Sequence, residues 1–184
     1  MIEVRPTDLE GVIEIMPRRF GDSRGFFSEV YNANVFRDAG IDLVFVQDNH
    51  SLSAQRGVLR GLHYQLPPHA QDKLVRVARG AILDVAVDIR RSSPTFGRWI
   101  AVELSAEKWN QLLVPKGFAH GFVTLTENAE VLYKVTDVYS AAHDRAIRFD
   151  DPRIGVRWPV EMEGLILSEK DRKAPFLDEA DVFD

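Results

Sequence analysis

The sequence predicts an all-β domain of sandwich or barrel type. Three observations carry that expectation: from residue 43 to residue 149 short runs rich in β-branched and aromatic residues follow one another, Gly, Pro, Asn and Asp separate them, and most alternate apolar with polar side chains. Many short strands with turn residues between them are the pattern of two-layered or closed antiparallel folds. Ahead of the strands, residues 34–40 (NVFRDAG) read as a short helix with Asn34 as N-cap and Gly40 as its stop. LVFVQDN, KLVRVARG and AILDVAVDIR then have strand length, as do RWIAVELS, NQLLVPKG, HGFVTLT, EVLYKVTDVY and AIRFD after them. In AILDVAVDIR the alternation sets Ile82, Asp84, Ala86 and Asp88 on one face and Leu83, Val85, Val87 and Ile89 on the other. The carboxylate face is either a solvated outer surface or the lining of a barrel that holds a polar ligand. After Trp158-Pro159 the periodicity fades, and SEKDRKAP reads as a helical turn capped by Ser168 and halted before Pro175.

With 184 residues and no linker, repeat or low-complexity stretch, one domain with its own core is expected. The hydrophobic share of 45% and charged share of 28% are those of a globular protein, and no apolar run approaches the ~20 residues a membrane-spanning helix needs. The opening MIEVRPTDLEGV has neither a basic start nor an apolar run, so no signal peptide and a cytoplasmic location are expected. The absence of cysteine excludes disulfides, thiol nucleophiles and zinc–thiolate sites. A net charge of -5 argues against nucleic acid as a partner while leaving room for a local basic pocket.

Two clusters could carry chemistry. Residues 55–65 (QRGVLRGLHYQ) hold two arginines, two glycines and a histidine. Strand alternation there would turn His63 away from Arg60, and a bulge at Gly61 would bring them together. On its own, a strand histidine is more often a hydrogen-bonded structural residue than a base. The second cluster, residues 114–122 (VPKGFAHGF), delivers His120 from a Pro-x-Gly turn and resembles the second motif of the cupin superfamily. The metal-binding H-x-H pair of that superfamily is broken here, since Tyr64 and Gln65 follow His63 and His69 lies in the loop LPPHAQ. No metal is therefore expected.

Further motifs stand in order along the chain: FGDSRGFF at 20–27, VQDNHS at 46–51, GVLRGLHYQ at 57–65, KLVR at 73–76, PTFG at 94–97, PKGFAHGF at 115–122, LYKVTD at 132–137 and LSEKD at 167–171. Together they make the sequence resemble the dTDP-4-dehydrorhamnose 3,5-epimerase family from about residue 2 to residue 178. The resemblance implies an all-β, cupin-type jelly-roll barrel with a few short helices, one domain over residues 1–184 that needs no cofactor. It also implies a homodimer, with an N-terminal segment that contacts the partner and a C-terminal segment that returns to the pocket. The implied substrate is a dTDP-4-keto-6-deoxy sugar, inverted at C3 and C5 next to its ketone.

That chemistry needs a base, a group to stabilise the enolate and an acid, because a proton beside a ketone is too weakly acidic for an unaided imidazole. By resemblance His63 is the base, Asp171 its carboxylate partner, Lys73 the cation at the ketone oxygen and Tyr133 the acid on the opposite face. Read alone, Asp171 is a helix-end carboxylate, Lys73 a surface lysine and Tyr133 a core tyrosine. The resemblance further assigns Arg24, Glu29, Gln47, Asp48, Asn49, Arg60, His120, Asp144 and Lys170 to substrate contact and Tyr139 to stacking on the thymine. Asp144 departs from the glutamate associated with that position, and a shorter carboxylate can accept the same hydrogen bond through water. Two alternatives stay open on sequence: a single-centre epimerase, acting at C3 or C5, of another dTDP-deoxysugar pathway, and a cupin-fold sugar-binding or metal-dependent protein with no epimerase activity.

Overall fold

The structure is a computed structural model and describes residues 2–184. The chain opens with β1 (Ile2–Pro6), β2 (Ile13–Pro17) and a hairpin of β3 (Arg19–Asp22) and β4 (Gly25–Ser28), then α1 (Ala33–Asp38). The central strands are β5 (Gln47–Ser53), β6 (Leu59–Gln65), β7 (Lys73–Arg79), β8 (Ala81–Asp88) and β9 (Trp99–Ser105). They are followed by β10 (Gln111–Val114), β11 (Phe118–Thr124), β12 (Ala129–Val135), β13 (Asp144–Ala146) and a final turn of helix, α2 (Glu169–Arg172). One sheet has the order β1-β2-β10-β7-β12-β5 and the other β13-β6-β11-β8-β9, with every neighbouring pair antiparallel. This is the cupin-type jelly roll that the sequence leads one to expect. None of its helices is long and apolar enough to cross a membrane, among the described residues.

The core between the sheets takes Val75, Val77, Leu112 and Val131 from the first sheet and Ile82, Ala86, Leu104 and Phe122 from the second. Because Ile82 and Ala86 point inward, so do Asp84 and Asp88 on the same stripe of β8, and both are fully buried. Of the two readings of that polar face, the inside is the one that holds. The opposite stripe, Val85, Val87 and Ile89, is covered by Ile147, Ile154, Leu177 and Ala180 from the C-terminal third of the chain.

Three expectations need adjustment. The N-cap of α1 is Asn32, whose side chain accepts from the backbone N–H groups of Asn34 and Val35, so Asn34 lies inside the first turn. Gly40 does close the helix, at a φ of +86°. Within LVFVQDN only Gln47 onward is strand, because Leu43 and Phe45 pack instead on the outer apolar cluster around Phe36 and Ile41. AIRFD contributes only Ala146 to β13, and Ile147 and Phe149 are buried in irregular chain.

Candidate active site

The cavity lies where the inward stripes of the two sheets change from aliphatic to polar. On β7 the stripe runs Val77, Val75, Lys73; on β11 Phe118 and Phe122 flank His120; on β12 Val131 and Val135 flank Tyr133. Strand alternation alone thus aims a lysine, a histidine and a tyrosine at one space. His63 joins them through an irregularity. The register of β6 against β11 runs from His120 opposite His63 to Phe122 opposite Arg60, three residues against two, which is a bulge at residues 61–62. Gly61 has φ +142°, and a Cβ on it would stand 2.5 Å from the Cα of Gly121, so only glycine fits. As a result Arg60 and His63 line the same cavity.

Asp171 arrives from the far end of the chain. Ile166 docks beside Val58, donating its N–H to the carbonyl of Gly57 and accepting from the N–H of Leu59, each at 2.9 Å. Ser168 then caps α2 by accepting from the N–H of Asp171 at 3.1 Å. The carboxylate, 2% exposed as a residue, meets Nε2 of His63 at 2.5 Å. With Nε2–H donating to Asp171, Nδ1 carries the lone pair, and it has no partner in the chain among the described residues. Burial pushes the Asp171 carboxyl up, but the hydrogen bond and charge of His63, the Ser168 hydroxyl and Lys170 together bring it below its usual range.

Lys73 is buried, and its Nζ donates to the carbonyl of His63 at 3.3 Å. Burial lowers its pKa to about 8, against the pull of Asp144 and Asp84 in the other direction. Burial raises the Tyr133 phenol, which Arg60 pulls back and Asp144 reinforces, so it keeps its proton at neutral pH. His120 is held by Nε2 to Asp84 at 2.8 Å, and the other oxygen of that carboxylate has no partner among the described residues. Among the described residues no three histidine, aspartate or glutamate side chains converge as a metal-ligand set.

The space has two lobes, of about 400 Å³ and about 300 Å³, which share His63, Lys73, Tyr133 and Lys170 as walls. The larger adds Arg60, His120 and Asp171; the smaller adds Gln47, Asn49, Tyr139 and Asp144. Tyr139 is 59% exposed, an open aromatic face at the rim. Its backbone N–H donates to Gln47 at 2.9 Å and its hydroxyl to Asp144 at 3.3 Å, while Lys170 pairs with the same Asp144 oxygen. The shorter carboxylate at 144 is therefore in contact with both neighbours expected to bind ligand.

Three expected residues lie elsewhere. Asp48 sits between the inward Gln47 and Asn49 and so points outward, where it pairs with Lys134 at 2.9 Å. Arg24 and Glu29 belong to the exposed β3–β4 region, and the Arg24 guanidinium, 87% exposed, pairs with Asp22. Residues that the sequence reading did not assign to the site include Asp84, the inward carboxylate of β8, and Ser51, Ile166 and Leu167 in the larger lobe. Alternation along β5 and β8 carries a signal for the first two; nothing in the local sequence announces the other two.

The family model described as dTDP-4-dehydrorhamnose 3,5-epimerase matches residues 6–179. A protein of that name from Sinorhizobium fredii is 56% identical over 91% of this chain and 86% of its own. A crystal structure of the Bacillus anthracis dTDP-4-dehydrorhamnose 3,5-epimerase with TDP and PPi bound is 49% identical with a TM-score of 0.93, over 96% of this chain and 99% of that one. The Legionella pneumophila dTDP-6-deoxy-D-glucose-3,5-epimerase in complex with dTDP-4-keto-L-rhamnose has a TM-score of 0.94 at 45% identity, over 98% and 95% of the two chains.

Proposed function

The chain belongs to the dTDP-4-dehydrorhamnose 3,5-epimerase family and is an isomerase of dTDP-4-dehydro-6-deoxy-D-glucose, and we propose that His63, Lys73, Tyr133 and Asp171 carry the inversion of C3 and C5. Nδ1 of His63 takes the proton from the carbon beside the C4 ketone, and Asp171 stabilises the imidazolium that results. The electron pair moves onto the ketone oxygen, where the buried Lys73 ammonium offsets the developing charge. Tyr133 returns a proton on the other face, giving the inverted centre of dTDP-4-dehydro-L-rhamnose. The observation that carries this reading is that His63 and Tyr133 belong to different sheets and both line each lobe, with Lys73 in the lining of both lobes as well.

Gln47, Asn49, Arg60, Asp144 and Lys170 bind the nucleotide portion, Tyr139 stacks on the base and His120 contacts the sugar. Arg24 and Glu29 complete the set in a homodimer, reaching in from the partner's β3–β4 region, whereas Asp48, paired with Lys134 on the outer face, stays out of it. The dimer is supported by Phe20, Phe26 and Phe27, which stay 50%, 55% and 69% exposed on and beside the β3–β4 hairpin. The domain is one unit, in keeping with apolar clusters that together take members from Leu9 to Ala180. No metal takes part in this scheme, so turnover is expected to survive chelation by EDTA. A cytoplasmic location belongs to the same reading, in keeping with a cysteine-free chain. The test is NMR of dTDP-4-keto-6-deoxyglucose with the protein in heavy water: deuterium at both C3 and C5 is expected, and exchange at only one carbon would reduce the activity to single-centre epimerisation.

A further inference from the structure

The segment that carries Tyr139, residues 136–143 between β12 and β13, has no regular structure and no buried residue, and Val138 and Tyr139 within it are 51% and 59% exposed. Apolar packing therefore does not fix its place. Glutamine side chains do. Gln71 donates from Nε2 to the Asp137 carbonyl at 2.8 Å, and Gln47 accepts from the Tyr139 N–H at 2.9 Å. Gln65 donates to the Val138 carbonyl at 3.2 Å and accepts from the Ser140 N–H at 2.8 Å. Backbone groups of residues 137–140 are thus taken in turn by side chains from β5, β6 and the chain just after β6. Gln65 is the hub: it is 4% exposed, and its nitrogen also donates to the His69 carbonyl at 2.7 Å, which ties the loop after β6 to the same segment.

We propose that Gln65 is a positioning residue for nucleotide binding, whose amide, with those of Gln71 and Gln47, sets the 136–143 segment in advance so that the Tyr139 ring stands ready for the base. This rests on the stacking role given to Tyr139 above. A ring on a segment free to sample other positions binds only from the fraction of molecules that hold it correctly, and the apparent dissociation constant rises in proportion. A neutral amide suits the point it occupies, since its nitrogen faces two carbonyls and its oxygen faces an N–H. The amide makes no hydrogen bond to His63, Lys73, Tyr133 or Asp171, so its effect falls on affinity and not on proton transfer.

Calorimetric titration of dTDP into the full chain, in a double-mutant cycle of Gln65→Met and Tyr139→Ala, tests this. Tyr139→Ala should weaken dTDP about tenfold, the loss of one stacked base. Gln65→Met keeps the length of the side chain and removes its hydrogen bonds. It should weaken dTDP about fivefold and raise KM for the nucleotide sugar in step, with kcat within about twofold of the unaltered protein. In the Tyr139→Ala background the same change should weaken dTDP by less than about twofold, because the ring that it positions is gone. Gln71→Leu, at a half-buried position, removes one bond of the same cradle and should follow the same pattern at smaller size, so the cycle is read from it if Gln65→Met does not fold. Equal weakening with and without Tyr139, unchanged dTDP affinity in both glutamine variants, or a fall in kcat at unchanged KM would overturn the inference alone. Unchanged dTDP affinity in Tyr139→Ala would remove the stacking role and this inference with it.

Discussion

Lys73 is a cation held where water hardly reaches it. Its native pKa of about 8 lies below the ordinary 10.5, so the unfolded chain binds the proton more tightly than the folded one. The charge therefore costs stability at neutral pH, roughly 3 kcal/mol, and that cost is relieved as pH rises from about 8 towards 10.5. Lys73→Met is expected to unfold at higher denaturant than the unaltered protein at pH 7, with the gap narrowed to about half or less by about pH 9.5, and to lose most turnover at both. A variant less stable at pH 7 would mean that the ammonium is net stabilising where it stands. Activity of the unaltered protein should fall on the basic side as the ammonium is lost, in a pH–rate profile with a limb near 8. At this scale period-two alternation aims Lys73, His120 and Tyr133 inward, although read alone the first passes for a surface lysine and the last for a core tyrosine, and the same alternation turns Asp48 outward against its expected ligand contact. The pairing of Asp171 with His63 was expected only by resemblance, because it joins residues 108 positions apart and no local pattern encodes such a contact.

Strand β6 shows how one glycine converts a regular element into a functional one. Without the bulge at Gly61, alternation would put Arg60 and His63 on opposite faces; with it, both reach the cavity. Gly61→Ala is expected to cost at least ~1–3 kcal/mol in chemical denaturation from its backbone conformation alone, and more from the contact with Gly121. Turnover should fall steeply even where the variant remains folded, since His63 and Arg60 move together. A folded Gly61→Ala variant with normal turnover would show that the bulge does not set the site. The need for a bend at this glycine was visible in the sequence, as was the Ser168 cap of α2. The shift of the first helix cap to Asn32 was not, because Asn32 and Asn34 are both good caps and only tertiary packing chooses between them.

In the proposed mechanism the whole sandwich separates an acid from a base. Two sheets closing on a shared cavity give His63, on β6 of one sheet, and Tyr133, on β12 of the other, access to a bound sugar from different walls. The same molecule leaves a phenylalanine-rich hairpin and the pair Arg24 and Glu29 outside its own cleft. Sedimentation should accordingly give a dimer at assay concentrations, with Arg24→Ala raising KM for the nucleotide sugar. A fully active monomer would contradict that assignment. Strand count and order of motifs made the fold class legible, whereas the proposed assembly would leave its trace only as surface that a single chain does not bury. The division of labour between the walls is tested most directly by deuterium incorporation at C3 and C5, read with product configuration, in His63→Ala and Tyr133→Phe. His63→Ala should lose exchange at both carbons along with turnover. Tyr133→Phe should keep exchange, because the base and Lys73 remain and the histidine can return a deuteron to the face it came from, but should lose inversion. Near-normal exchange in His63→Ala, or normal inversion in Tyr133→Phe, would contradict the account.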